Sequence, residues 1–168
     1  MRSRNLFWVN VSLVVLAVVL DQAVKAIVVA TMPLGYEIPI LPFLSLLHAR
    51  NTGIAFSMFA GTGPLGLALL AGVVLVGVLY LWIKTPADRK LTHFALAMVV
   101  GGAIGNLIDR LFLGYVVDYV FFHTPLFEFA VFNLADSFIS VGAIVIVLDE
   151  LVLAPLKERR MKRERASD

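Results

Sequence analysis

A chain of 168 residues that is 60% hydrophobic and 15% charged, with a mean hydropathy of +0.92, is too apolar for a water-soluble domain and suits an integral membrane protein. Cysteine is absent, which excludes disulfides, thiolate nucleophiles and cysteine metal sites. Fourteen Lys and Arg against twelve Asp and Glu give a net charge of +2, but the cations are segregated at the chain ends and in one loop, a membrane-topology pattern rather than a nucleic-acid footprint.

Four apolar stretches follow in order, at about 6–30, 64–83, 94–113 and 134–153. Each is long enough to cross a hydrocarbon core of ~30 Å at about 1.5 Å per residue. The first follows Arg2 and Arg4 and has an alternative reading as a cleaved signal peptide. Its length, and the lack of a small-x-small cleavage site after it, favour an uncleaved span. It carries Asp21 and Lys25, an i, i+4 pair.

The loop at about 31–63 holds Pro39 and Pro42, an apolar run at 43–47, the turn signal Asn51-Thr52-Gly53 and a short returning strand at 55–59. After the second span come Lys84, Arg89 and Lys90. The third span contains Gly101 and Gly105 at the small-xxx-small spacing that admits a neighbouring helix. Asn106, Asp109 and Arg110 share one of its faces. Gly114 stops it, and the loop at about 114–133 begins with a β-branched and aromatic run at 115–120, turning at His123-Thr124-Pro125. Asn133 suits the start of the fourth span, and Asp136 follows in its first turn. Asp149 and Glu150 snorkel at its far end, ahead of a basic tail at 155–168.

Eleven of the fourteen cations lie at the N-terminus, in the 84–90 connection or in the tail, leaving Lys25, Arg50 and Arg110. The positive-inside rule then puts both termini in the cytoplasm. The expected fold is an all-α membrane protein, one domain of four transmembrane helices under a small extracytoplasmic β-rich cap. On that topology Asp21, Asp109, Asp118 and Asp136 converge near the outer boundary. A charge inside the membrane costs roughly 2.5–3.5 kcal/mol even on the lenient insertion scale, so such groups are kept for a function. Asp118 and Asp136 are the pair expected to face each other, and facing carboxylates share a proton.

Five blocks carry a resemblance: Asp21 through Lys25, Asn51-Thr52-Gly53-Ile54-Ala55-Phe56, Gly101 through Arg110, Val116-Val117-Asp118-Tyr119 and Phe132-Asn133-Leu134-Ala135-Asp136. In this order, within a four-span chain of this size, the sequence resembles the bacterial lipoprotein signal peptidases (signal peptidase II) over essentially its whole length. The resemblance implies an intramembrane aspartic protease of the bacterial cytoplasmic (inner) membrane. It would remove the signal peptide of prolipoproteins before the diacylglyceryl-cysteine, with Asp118 and Asp136 catalytic. Neither the Asp-Thr/Ser-Gly block of soluble aspartic proteases nor the Gly-x-Gly-Asp block of presenilin-like proteases occurs.

Around that pair, Asn106, Asp109 and Asn133 are expected to orient the aspartates or bind substrate backbone. Arg110 is expected to pair with Asp109 or contact substrate, Asn51, Gly53 and Phe56 to belong to the loop over the site, and Asp21 and Lys25 to form a structural pair beneath it. His48, His93 and His123 show no ligand spacing, so no metal or cofactor is expected. Expected partners are prolipoprotein substrates and membrane lipid, without nucleic acid, for a monomer. Two rival classes are a serine protease using Ser57 with Lys25, and a carboxylate-dependent proton-coupled transporter. The transporter would want its charges near the midplane rather than at one boundary.

Overall fold

The structure, a computed structural model, describes residues 2–53 and 63–156. Helix α1 (Arg2–Thr31) is followed by strands β1 (Glu37–Leu41) and β2 (Leu44–Asn51). Then come α2 (Gly63–Lys84), α3 (Lys90–Phe112), β3 (Val116–Thr124), β4 (Phe127–Glu128) and α4 (Leu134–Leu148), the last continued by a π-helical turn, Asp149–Leu153. All four helices are long and apolar enough to cross a membrane.

α3 is the central helix. Its apolar window is 56% buried against 22% or less for the other three, and it packs against α1, α2 and α4. Small residues make this possible. A Cβ on Gly101 would stand 2.6 Å from Cβ of Ala17 on α1, and one on Gly102 would collide with the main-chain carbonyl of Ala135 on α4. Backbones held this close gain dispersion contacts where lipid offers no hydrophobic drive. The outward faces of α1, α2 and α4 carry exposed Trp8, Val19, Leu69, Val76, Ile144 and Leu151, as a bilayer-facing surface requires.

The third span begins earlier than hydropathy suggested, at Lys90 rather than near residue 94, and ends at Phe112. Lys90-Leu91-Thr92-His93 are too polar to register as span but continue the helix, and Thr92 and His93 are buried. Thr92 Oγ1 donates to Oδ2 of Asp149 at 2.5 Å and Arg89 Nε to the same atom at 3.2 Å, so the base of α3 is tied to the end of α4. At the other end Gly114, at φ 79°, supplies the left-handed residue that turns α3 into β3.

The strands form one antiparallel sheet in the order β1-β2-β3-β4. The β1–β2 hairpin was not anticipated from the sequence. It accommodates Pro39 because β1 is an edge strand, and Pro42 because that residue falls in the two-residue turn. The predicted strand at 55–59 lies outside the described residues, as do Ser57 and the tail from 157. One side of the sheet seats on α1 through a cluster of Val28, Met32, Val117 and Tyr119.

Candidate active site

Register builds the first half of the site. Ala49 is opposite Asp118 and Asn51 opposite Val116, so Asn51 and Asp118 are diagonal neighbours on one face of the sheet. Asn51 Nδ2 donates to Oδ2 of Asp118 at 3.0 Å. The Asn51 amide is itself oriented, because its Oδ1 accepts from the backbone N–H of Gly53 at 2.9 Å.

The start of α4 builds the second half. Its first three N–H groups have no partner within the helix, and three elements supply acceptors. Leu134 N donates to the Tyr119 hydroxyl at 3.1 Å, Ala135 N to Oδ1 of Asp21 at 3.0 Å, and Asp136 N to Oδ1 of Asn133 at 2.9 Å. Asp136 Oδ2 accepts in return from Asn133 N at 3.2 Å, which completes a capping box. Asn133 therefore caps the helix as its sequence position suggested, and does more. Its Nδ2 donates to Oδ1 of Asp118 at 2.7 Å and to Oδ1 of Asn106 at 3.1 Å.

Asn106 closes the ring. Its Nδ2 donates to Oδ1 of Asp136 at 2.8 Å while its Oδ1 accepts from Lys25 Nζ at 2.9 Å. Asp118 and Asp136 are thus joined through two amides, each aspartate receiving N–H donors on both oxygens. Asp118 is 2% exposed, and burial, reinforced by the charge of Asp136, pushes its carboxyl up to about 7 despite the donors on Asn51 and Asn133. A pair of this kind holds one proton between two carboxylates near neutral pH.

Lys25 is the one cation shared by the other two carboxylates. It lies 2.8 Å from Asp21 and 3.0 Å from Asp109, all three side chains 4% exposed or less. Of the two roles expected for Arg110, pairing with Asp109 or contact with substrate, the first falls to Lys25. Arg110 instead donates to the carbonyls of Asn106 at 3.2 Å and Gly53 at 3.1 Å, pinning the end of the Asn51 turn to α3. Among the described residues Asp109 makes no hydrogen bond to Asp118 or Asp136. Its Oδ2 accepts from the N–H of Val117 at 3.1 Å, so it fixes the strand beside Asp118 rather than the carboxylate.

Two contributors were missed in the sequence. Gln22 Nε2 donates to Oδ1 of Asp109 at 2.8 Å and to the carbonyl of Gly105 at 3.2 Å. Tyr119, whose hydroxyl burial pushes up to about 12, stays neutral and holds the first N–H of α4. Each is adjacent to an aspartate inside a signature block, and that adjacency was the available signal. The histidines are apart from the site: His48 bonds to the Met32 carbonyl, His93 to Trp82 and His123 to Ser45.

A cleft of about 760 Å³ opens beside the pair. Asn51, Asn106, Arg110, Asp136 and Ser137 form its polar end, while Leu67, Leu70 and Val74 of α2 face Ile139 and Val141 of α4 across an apolar trough. The arrangement sets two hydrogen-bonded carboxyl groups beside an apolar trough.

The sequence model of the family described as signal peptidase (SPase) II matches residues 13–152. The lipoprotein signal peptidase of Mesorhizobium japonicum is 49% identical over 140 residues, 83% of each chain. That of Brucella ovis is 48% identical over 149 residues, 89% of this chain and 93% of the relative. Two solved structures, each described as a bacterial membrane enzyme obtained by the in meso method, superpose with a TM-score of 0.76. They have 29% and 30% identity and cover 90% and 86% of this chain, and 89% and 93% of their own.

Proposed function

The chain belongs to the signal peptidase II family, and from that membership we propose that Asp118 and Asp136 are the catalytic pair with which it cuts. It is a multi-pass membrane aspartic protease that removes signal peptides from prolipoproteins. The relay-type transporter has no support among the relatives, which are peptidases.

The observation that carries the assignment is the double bridge: Asn133 donates to Asp118, Asn106 donates to Asp136, and Asn133 donates to Asn106. Asp136, at the N-terminus of α4 with backbone and amide donors on its two oxygens, is the ionised partner. It takes a proton from water as the water oxygen attacks the scissile carbonyl carbon. Asp118 is the protonated partner and donates to the carbonyl oxygen as negative charge develops there. Collapse of the tetrahedral intermediate breaks the C–N bond. The proton acquired by Asp136 goes to the leaving amine, and the hydroxyl of the intermediate returns its proton to Asp118.

The scissile bond precedes a diacylglyceryl-cysteine, whose lipid holds it at the membrane surface where water and the dyad meet. The signal peptide occupies the apolar trough between α2 and α4. The sheet forms an extracytoplasmic cap, both termini are cytoplasmic, the membrane is the bacterial inner membrane, and the chain acts as a monomer without cofactor in a single domain. Asn51, Gly53 and Arg110 hold the turn over the site. The test is incubation of purified protein with a lipid-modified prolipoprotein. Wild type should release the signal peptide, and Asp118→Asn and Asp136→Asn should retain under about 1% of the rate, since Asn keeps shape but cannot carry the proton. Substantial cleavage by either variant removes the assignment.

A further inference from the structure

One wall of the cleft beside the aspartates has no part in the mechanism above. Residues 129–132 line it as an extended segment that continues from β4, the last strand of the sheet. Phe129 N donates to the Phe122 carbonyl at 2.9 Å. Phe132 exchanges two bonds with Val120, donating at 3.0 Å and accepting at 2.8 Å. Three steps along this segment therefore match two along β3, and Phe121 is opposite both Ala130 and Val131, which makes a bulge. The backbone groups of Ala130 and Val131 make no hydrogen bond among the described residues, and both residues are half-buried.

These peptide groups put donors and acceptors on a wall that faces an otherwise apolar cleft, whose lining includes Leu67, Leu70 and Val74. An acyl chain laid against them would strip off their water and offer no hydrogen bond in exchange, a cost borne by every N–H and C=O so covered. An extended peptide offers a donor and an acceptor at each residue, at the same rise of ~3.3 Å as the segment itself. The open edge thus selects peptide over lipid.

Position decides which part of the substrate lies there. Val131 is two residues before Asn133, which holds Asp118 at 2.7 Å, so the edge begins ~7 Å from the dyad. From there the segment leads back along β3 into the sheet, whereas the apolar trough leads away between α2 and α4. With the signal peptide in the trough, the chain beyond the scissile bond passes the open edge.

We propose that the residues following the lipid-modified cysteine bind as an added strand on Ala130 and Val131. This rests on the dyad and trough assigned above and deepens them. Recognition runs through peptide groups rather than side chains, so the edge accepts mature sequences of differing composition.

Lipid-modified prolipoprotein peptides cleaved by the purified full chain test this. Each carries a single ester in place of a backbone amide after the cysteine, which deletes one N–H without adding bulk. Only alternate N–H groups of a strand point at a given neighbour. An ester at one of the first two residues after the cysteine should raise KM about fivefold, the weight of one hydrogen bond, and at the other by under about twofold, with kcat unchanged by both. Val131→Pro, which removes the N–H of the edge, should raise KM for the all-amide peptide by a similar factor, with thermal unfolding in detergent as the check on its fold. Equal effects at the two neighbouring esters, no effect at either, or an unchanged KM in folded Val131→Pro overturns the added strand. The ester series uses the wild-type chain, so it decides the matter even if the variant does not fold. Failure of the wild type to cut the all-amide peptide at all would instead overturn the proposed function, and the added strand with it.

Discussion

Lys25 Nζ donates to Oδ1 of Asn106 at 2.9 Å, and that bond, together with the one from Asn133 Nδ2 at 3.1 Å, fixes the direction in which the Asn106 amide faces. With Oδ1 turned to the lysine, Nδ2 is presented to Asp136 at 2.8 Å. A flipped amide would set its oxygen against the carboxylate and its N–H₂ against the ammonium. The Asp21–Lys25–Asp109 cluster is therefore not a passive ion pair beneath the site. Its two carboxylates share one lysine, and through Asn106 that lysine helps to set which group α3 offers to the aspartate on α4. Asp21 acts on α4 directly as well, by capping Ala135 N at 3.0 Å.

The proton on Asp118 sets the pH response. A carboxyl pushed up to about 7, first by burial and then by the charge of Asp136, is protonated in the folded protein at a pH where the unfolded chain has released it. The folded state binds the extra proton between about pH 4 and pH 7, so stability falls with rising pH across that window and levels off above it. Cleavage by the proposed mechanism, in which Asp118 carries the proton, should decline as pH rises through about 7. Thermal unfolding in detergent at pH 5, 6, 7 and 8 should show this negative slope in wild type and a shallower one in Asp118→Asn. An identical slope in the variant would place the proton elsewhere.

The four spans were legible because the hydrocarbon thickness forces a length that composition must reveal, and the aspartates because a charge in such a stretch has no solvation reason to be there. Asn133 was legible as a cap from its position alone. The partner of Asp109 was not. Arg110 adjoins it in sequence, but an adjacent residue points to a different side of the helix, and the actual cation arrives from α1. The β1–β2 hairpin was hidden by Pro39 and Pro42, which read as breakers until one is seen on an edge and the other in a turn. The start of α3 at Lys90 was hidden because hydropathy marks the slab, whereas the helix runs on past it.

Glycines on α3 should be far less replaceable than those on α2. A Cβ at Gly105 would stand 2.5 Å from Oδ2 of Asp21, and one at Gly102 would meet the main-chain carbonyl of Ala135, whereas a Cβ at Gly72 has nothing within 4 Å. Gly102→Ala and Gly105→Ala should each cost about 1–3 kcal/mol, as expected for overpacking, and lower the cleavage rate by displacing the first turn of α4. Gly72→Ala should be neutral or stabilise by up to about 1 kcal/mol, through helix propensity. Unfolding midpoints of the three variants decide the matter, and equal midpoints would contradict the packing account.

Topology is open to direct measurement. A reporter fused after Asp168 should read as cytoplasmic and one inserted near Gly61 as external, because eleven of the fourteen Lys and Arg fall on the side of the termini. Opposite readings would put the dyad on the cytoplasmic face, away from an exported substrate.

The supporting cluster and the dyad should separate under mutation. Asp21 and Asp109 share Lys25 inside the bundle, so Lys25→Met leaves two buried carboxylates uncompensated and should cost on the order of 3–5 kcal/mol. Asp21→Ala and Asp109→Ala should also lower the yield of folded protein. The first uncaps Ala135 N, and the second releases the N–H of Val117 and the Gln22 amide. Asp118→Ala removes one of two mutually repelling carboxylates, so its fold should persist while its rate vanishes. Asp136→Ala should behave alike, less about 1 kcal/mol for the lost half of the capping box. Lys25→Met combined with Asp21→Asn and Asp109→Asn should recover stability relative to Lys25→Met alone, because no buried charge is then left unmatched. Activity should not return in full, because one of the two donors that turn the Asn106 amide toward Asp136 is gone and Asn133 Nδ2 alone remains. Thermal unfolding in detergent, measured beside cleavage rate for the six variants, separates the roles. If Asp118→Ala or Asp136→Ala proved the least stable while Lys25→Met stayed folded and inactive, the catalytic and supporting assignments would have to be exchanged.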